Sequence, residues 1–476
     1  MLTYNFKYEL KLLLRSRWIQ LLSVMLLLLF GFSAFNGRQK VEKRRSDIAA
    51  AQKEMRENDA MMLILLDSVE HGLEVSVPYW TVPSSPMALG NYYPRVAAMD
   101  PQPMAFVSTG QADLFTHYVK PTVTGDDFTL NFTEMTSPVQ LLFGSFDLAF
   151  IIVYLLPLLI IAFSYNVLSA EKESGSIRLL AAQPITIQKW VMQKLGLRFF
   201  WMAVLVTITL VLAFLFIGID IVAHATSFLG FLALVLIYML FWFALAFLVN
   251  LQAGSSAKNA VALLGLWVVF VLFVPSVLNQ LGNTFYPMPS RTLMINEMRN
   301  LKAEVAKKQD EILDNYLRDH PEYALNDTSQ SRGFYHRYMA SQKLVKEELS
   351  PVVDAYEEQL QKQQDWVGRF KWISPAIIVQ ESLNQLAGTS TKDYEDFRKQ
   401  VVAFAETWRG HLIPFLYNNR DFSQKDYPNL PKFVYQKKEA STLFGLVMIL
   451  VLSAVVYLIG IFIYREQKKR NILMTS

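Results

Sequence analysis

FDLAFIIVYLLPLLIIAFSYNVLSAEKESGSIRLLAAQPITIQKWVMQKLGLRFFWMAVLVTITLVLAFLFIGI, residues 146–219, decides the fold. Two apolar runs, 146–165 and 199–219, flank a charged insert, 166–196, that Gly175 and Pro184 punctuate. Each run has roughly the 20 residues that a hydrocarbon core of about 30 Å requires of a helix. The insert has the length and chemistry of a short helical hairpin lying at a membrane surface. Pro157, near the middle of the first run, removes one backbone hydrogen bond and predicts a kink, which neighbouring helices can cover in a bilayer.

Outward from this hairpin, four more runs repeat the pattern at 18–35, 228–249, 260–277 and 443–464. With 53% hydrophobic and 18% charged residues, the apolar ones bunched, the chain reads as an all-α polytopic membrane protein with six transmembrane helices. A basic leader before the first run suits a cleavable signal peptide, but the run is long for an h-region and no small-residue site closes it. An uncleaved anchor is therefore expected. The net charge of +4 gives nucleic acid no footprint, and the absence of Cys excludes disulfides, thiolate metal sites and cysteine catalysis. Lys7, Lys11, Arg15 and Arg17, then Lys172, Arg178, Lys189 and Lys194, then Lys258, then Arg465, Lys468, Lys469 and Arg470 fall on one side of such a layout. Both termini are expected in the cytoplasm, with the chain in a bacterial inner membrane.

The remaining segments follow from that frame. Residues 1–17 carry Lys7, Lys11 and Arg15 on one face and Phe6, Leu10 and Leu13 on another, as an interfacial amphipathic helix does. Residues 36–142 form a first extracytoplasmic domain, helical over Arg44–Glu70 and then mixed α/β or loop-rich. Its aromatics Tyr79, Trp80, Tyr92 and Tyr93 are expected in a core or an interfacial belt. Residues 278–440 form a second, mostly helical one. Leu301, Val305 and Ile312, and Leu344, Leu349, Val352 and Tyr356, recur at helical spacing and predict two long helices packed on each other. A Pro-started helix should end at Gly388, with another capped near Thr391 or Asp393. Residues 465–476 are a basic tail. Asn131-Phe-Thr and Asn326-Asp-Thr match the glycosylation pattern, which matters only in a pathway that glycosylates.

Chemistry is mainly absent. GSSAKN at Gly254 lacks the spacing of a phosphate-cradling loop, the six His are scattered, and no nucleophile elbow occurs. Catalytic residues, cofactor ligands and metal ligands are therefore not assigned, and the chain is not read as an enzyme. The runs hold no Lys, Arg or Glu, which argues against a proton or ion relay. Energy must then come from elsewhere. Glu171 and Arg178 lie seven apart and would share a helix face with Gly175 between them, while Pro184 would end the helix. Such a surface suits a soluble partner; an ordinary charged inner loop uses the same residue types.

SAEKESGSIRLLAAQPI, from Ser169, resembles the cytoplasmic motif of type-two ABC transporter permeases, and YELKLLLRSRW resembles the interfacial helix with which they begin. SPVQLLFGSFDLAFIIVYLLPLLI, YPMPSR and SPAIIVQESLNQLAGT are similar to a bacterial subfamily with two large extracytoplasmic insertions of unknown function. Ser176-Ile177 stands where Thr-Leu is commoner. The resemblance implies a permease subunit, an exporter, whose 166–194 stretch is a coupling helix seated on a separate cytoplasmic ATPase. Two permeases, identical or paralogous, and two ATPases would make the transporter, with ATP and Mg bound by the ATPase and no cofactor in this chain. It further implies that Glu171, Glu173 and Arg178 contact the ATPase, that Gly175 permits a bend and that Pro184 sets the exit. The size of the outer segments leaves a second reading open, a mechanical transmitter or envelope scaffold acting on extracytoplasmic partners without a substrate channel.

Overall fold

The computed structural model describes residues 9–11, 13–113, 116–125, 146–176, 186–252, 254–287, 291–319, 321, 334–437 and 442–469. Six helices are long and apolar enough to cross a bilayer. These are α1 (Arg17–Glu70), α3 (Leu148–Glu173), α4 (Ile187–Ile217), α5 (Ala225–Leu251), α6 (Ser256–Phe285) and α12 (Leu443–Lys469). α2 is the short helix Pro86–Tyr92 between the first two. Because α5 is apolar on every side, it has no face to give to water and sits at the centre, against α3, α4 and α12. Its Phe231, Tyr238 and Trp242 are fully buried. In the most apolar window of α3 and of α5, 67% is buried, against 17% for α6 and α12, which face outward.

α1 joins the apolar run at 18–35 to the helical stretch Arg44–Glu70 without a break. It is one helix of 54 residues, about 80 Å long at 1.5 Å per residue. Its sequence contains no proline, and its Gly37 is used for a close contact: a Cβ there would lie 2.2 Å from the Phe106 carbonyl oxygen. The helix stops at Gly72, which takes the left-handed conformation at φ +69°.

The far half of α1 joins a lobe built with α7 (Arg291–Lys307), α8 (Gln309–Asp319), α9 (Phe334–Phe370), α10 (Pro375–Ala387) and α11 (Thr391–Tyr417). The helical spacing of 291–370 does produce a packed pair, with Val305, Val345 and Leu349 at its centre and Leu301, Ile312 and Leu344 against them. α7 and α8 together form one arm, broken at Lys308. α10 starts at Pro375 and ends at the left-handed Gly388, and α11 is capped by Ser390 with Asp393 in a capping box. The segment after α1 is loop-rich, with antiparallel strands of two residues each, β1 (Ala97–Ala98) and β2 (Tyr118–Val119). Asn131 and Asn326 lie outside the described residues.

Met62, Leu66, Leu89, Trp408 and Leu412 form the lobe core. An ion pair is buried beside it. Arg95 reaches both Asp59 oxygens, at 2.6 and 2.7 Å, with both side chains under 10% exposed. Tyr427 donates to the same carboxylate at 3.2 Å, and Arg95 lies over the Trp408 ring. Tyr93 enters the neighbouring core, but Tyr79, Trp80 and Tyr92 are exposed at 81%, 53% and 51%.

α10 joins the lobe to the bundle. Its Ala376, Ile378, Val379 and Leu383 belong to the same core as the long apolar helices. At its start, the Ser374 hydroxyl donates to the Phe270 carbonyl of α6 at 2.6 Å. Asn384 accepts from Ser108 at 2.5 Å, and Asp147, capping α3, accepts from the backbone N–H of Thr109 at 2.7 Å. The lobe is thereby fastened to the beginning of α3 and the middle of α6.

Candidate functional site

At the opposite end of the bundle, α3 does not run straight into its last turn. The N–H of Leu168 would ordinarily bond the carbonyl of Ser164 four residues back. Instead the buried side chain of Asn250, from α5, stands between them: its Oδ1 accepts from Leu168 N at 3.1 Å and its Nδ2 donates to Ser164 O at 2.9 Å. A second amide does similar work beside it, Asn259 Nδ2 of α6 donating to Tyr165 O at 3.2 Å. Side chains inserted into the i to i−4 ladder bend helices. This inserted pair sets the direction of the turn Ser169–Glu173.

That turn carries the residues singled out in the sequence. Glu173 Oε1 and Oε2 accept from the backbone N and the hydroxyl of Ser256, at 2.7 and 2.8 Å. Its negative charge therefore sits at the N-terminus of α6, where orphan N–H groups and the helix dipole favour it. Glu171 pairs with Lys194 of α4 at 2.8 Å and also accepts from Ser176. Lys194 reaches on to Glu9 at 3.5 Å, and Arg198 to the other Glu9 oxygen at 3.7 Å. Two carboxylates and two cations thus tie the N-terminal segment, α3 and α4 into a neutral cluster. Among the described residues no three His, Asp or Glu side chains group to hold a metal ion.

The helical turn that carries Glu171 spans only Ser169–Glu173. The helix ends at Glu173, because Gly175 takes φ +76° and turns the chain out of the right-handed region. A Cβ on Gly175 would meet nothing within 4 Å, so the glycine is there for its conformation. Arg178 and Pro184 lie outside the described residues. The structure brings Glu171, Glu173 and Gly175 together within one turn, and it adds Asn250, Asn259, Ser256 and Glu9, which sequence reasoning passed over, and Lys194, which it counted only as a same-side cation. One signal was available: Asn250 is an amide closing an otherwise apolar run, and polar side chains there hydrogen-bond across helices.

Residues 291–436 match a family described as a domain of unknown function, DUF3526. The match spans α7 to α11, the helical part of the lobe, and stops short of the bent turn and the long apolar helices. No curated protein and no solved structure matches the chain.

Proposed function

We propose that the chain is the permease subunit of an ATP-driven ABC exporter in a bacterial inner membrane, with both termini cytoplasmic. The 166–194 stretch is the surface on which a separate cytoplasmic ATPase, binding ATP and Mg, would seat, and a second permease copy or paralogue completes the assembly. The observation that carries this reading is the anchorage of the 169–176 turn. Glu171 ties it to α4 and Glu173 to α6, while Asn250 holds Leu168, the residue just before it, to α5, so a push on it reaches three long helices at once. The resemblance of SAEKESGSIRLLAAQPI to the coupling motif supplies the partner.

Co-purification with the ATPase tests it. Glu173→Arg combined with Gly175→Trp should abolish ATPase binding and ATP-dependent activity, whereas Ser256→Ala, which removes only the hydroxyl arm of the internal contact, should retain binding. Intact binding in the double variant would remove the coupling assignment.

The continuous α1 favours a second reading, a mechanical transmitter that moves partners without a substrate channel. One rod runs from the bundle to the lobe tip, and α10 fastens the lobe to α3 and α6. In sealed vesicles, ATP-dependent substrate movement supports the exporter; an ATP-dependent change confined to the lobe supports the transmitter.

A further inference from the structure

A cleft of about 530 Å³ lies where the lobe meets the bundle. Its floor is apolar, made by Val153 of α3, Val271 and Pro275 of α6 and Ile377 of α10. Its other wall is a row of carboxamides, among them Gln361 and Gln364 of α9 and Gln380 and Asn384 of α10. The charged lining cancels: Lys371 and Lys392 against Asp365 and Glu381, with Lys371 and Glu381 paired at 2.8 Å.

The two long helices are not regular at this level. α3 has a π-helical turn at Ile151–Leu155 and α6 one at Val268–Phe273. Such turns are rare and gather at functional sites, because they release carbonyls from the ladder. Here neighbouring elements hold those carbonyls: Trp267 donates to Tyr154 O at 3.1 Å, Tyr238 to Val153 O at 3.0 Å and Ser374 to Phe270 O at 2.6 Å. Both widened turns are thus fixed in place, and both line the cleft.

We infer that this cleft binds an amphiphile with a neutral, hydrogen-bonding headgroup, the class to which a glycosylated lipid belongs. The floor belongs to bilayer-crossing helices and accepts an apolar tail. Gln361 and Gln364 each donate one N–H within the protein, to Asp365 and Glu395, and a carboxamide has a second N–H and an oxygen besides, the donors and acceptors that hydroxyl groups require. A lining with no net charge gives an anionic headgroup no advantage. Only the amphiphile's status as cargo rests on the permease reading.

Full-length protein in phosphatidylcholine nanodiscs tests the site with photoactivatable probes: a diacylglycerol bearing one neutral sugar, phosphatidylglycerol with the same chains, and the free sugar. The glycolipid should label peptides containing 148–155 or 268–277, and unlabelled glycolipid should compete. Gly368 lines the cleft, and a Cβ there meets nothing within 4 Å, so Gly368→Trp fills the space without displacing the core. That variant should lower labelling about tenfold, equivalent to about 1.4 kcal/mol. Equal labelling by phosphatidylglycerol, labelling by the free sugar alone, or indifference to Gly368→Trp would each overturn the inference. ATPase co-purification from the same preparations separates the two ideas. If it is retained while glycolipid labelling is absent, the site fails and the permease stands; if it is lost while labelling persists, the reverse holds.

Discussion

Asn250 is the residue on which the proposed mechanism turns. It is fully buried, yet its value lies in the bend it imposes, since the two backbone groups it occupies stand four apart on α3. Asn250→Leu frees Leu168 N–H and Ser164 C=O to bond each other, so no buried group is left unsatisfied and the net loss should be only about 1 kcal/mol. What should change is direction. Spin labels at Ser174→Cys and Lys258→Cys are expected to report an altered distance in the leucine variant, together with reduced ATP-dependent activity; an unaltered distance would take the bend away from Asn250. Asp59 behaves in the opposite way. Asp59→Ala leaves the Arg95 guanidinium buried without its carboxylate and strips Tyr427 of its acceptor. Breaking a buried pair in this manner costs about 3–5 kcal/mol, whereas replacing both partners with apolar residues costs far less. Thermal unfolding in detergent should therefore show a large fall for Asp59→Ala and a smaller one for Asp59→Leu with Arg95→Met.

Among the elements, α1 separates the two functional readings. Lys43 is exposed on the stretch between bundle and lobe. Lys43→Pro removes one ladder bond and clashes with the preceding turn, costing about 3 kcal/mol locally and kinking the rod. If the chain transmits force, ATP-driven displacement of a label at the lobe tip should disappear in this variant. If it exports, substrate movement should survive, because α10 still fastens the lobe to α3 and α6. The elements also show what was legible beforehand. Six apolar runs, the paired helices of 291–370 and the Pro375-to-Gly388 helix could be read directly, since each is set by local pattern and end signals. The continuity of α1 was not legible, because a polar stretch after a span reads equally as loop or helix until packing against Phe106 is known. The bent turn was only half legible. Gly175 announced a turn, but the partners of Glu171 and Glu173 sit on α4 and α6, and spacing within one segment says nothing of contacts across the bundle.

For the whole molecule, acid should loosen the lobe before the bundle. Burial pushes His411 below the ordinary histidine range, and the Asp426 charge only partly offsets this. Burial alone would raise the Asp426 carboxyl, but hydrogen bonds from Ser423 and the pairing with Arg420 outweigh it and hold the group below the ordinary aspartate range. Both groups bind protons more readily when unfolded, so each stabilising contribution is lost as pH falls. The His411 part goes first, below its ordinary value of about 6.5, and the Asp426 part below about 3.9. The protection of α11 amides, measured against their intrinsic exchange rates at each pH, should fall between pH 7 and 5, and His411→Gln should flatten that step. On the permease reading, docking of an ATPase depends on the orientation of the whole chain. The lobe and the α4–α5 turn share one end of the bundle, where Arg38 of α1 donates to Phe216 O of α4 at 3.1 Å. Lys172, Lys189, Lys194, Lys258 and Arg465 gather at the other end. Short-loop cations stay in the cytoplasm, so the bent turn should face the ATPase. The chain has no Cys, which lets single introduced thiols report without background. An impermeant maleimide should label Tyr79→Cys, Val222→Cys and Val434→Cys, at positions exposed by 81%, 86% and 74%, once the outer membrane is opened. Ser174→Cys, Lys258→Cys and Arg465→Cys should react only after the inner membrane is breached. Labelling of Ser174→Cys before that breach would invert the chain and leave a cytoplasmic motor with nothing to grip.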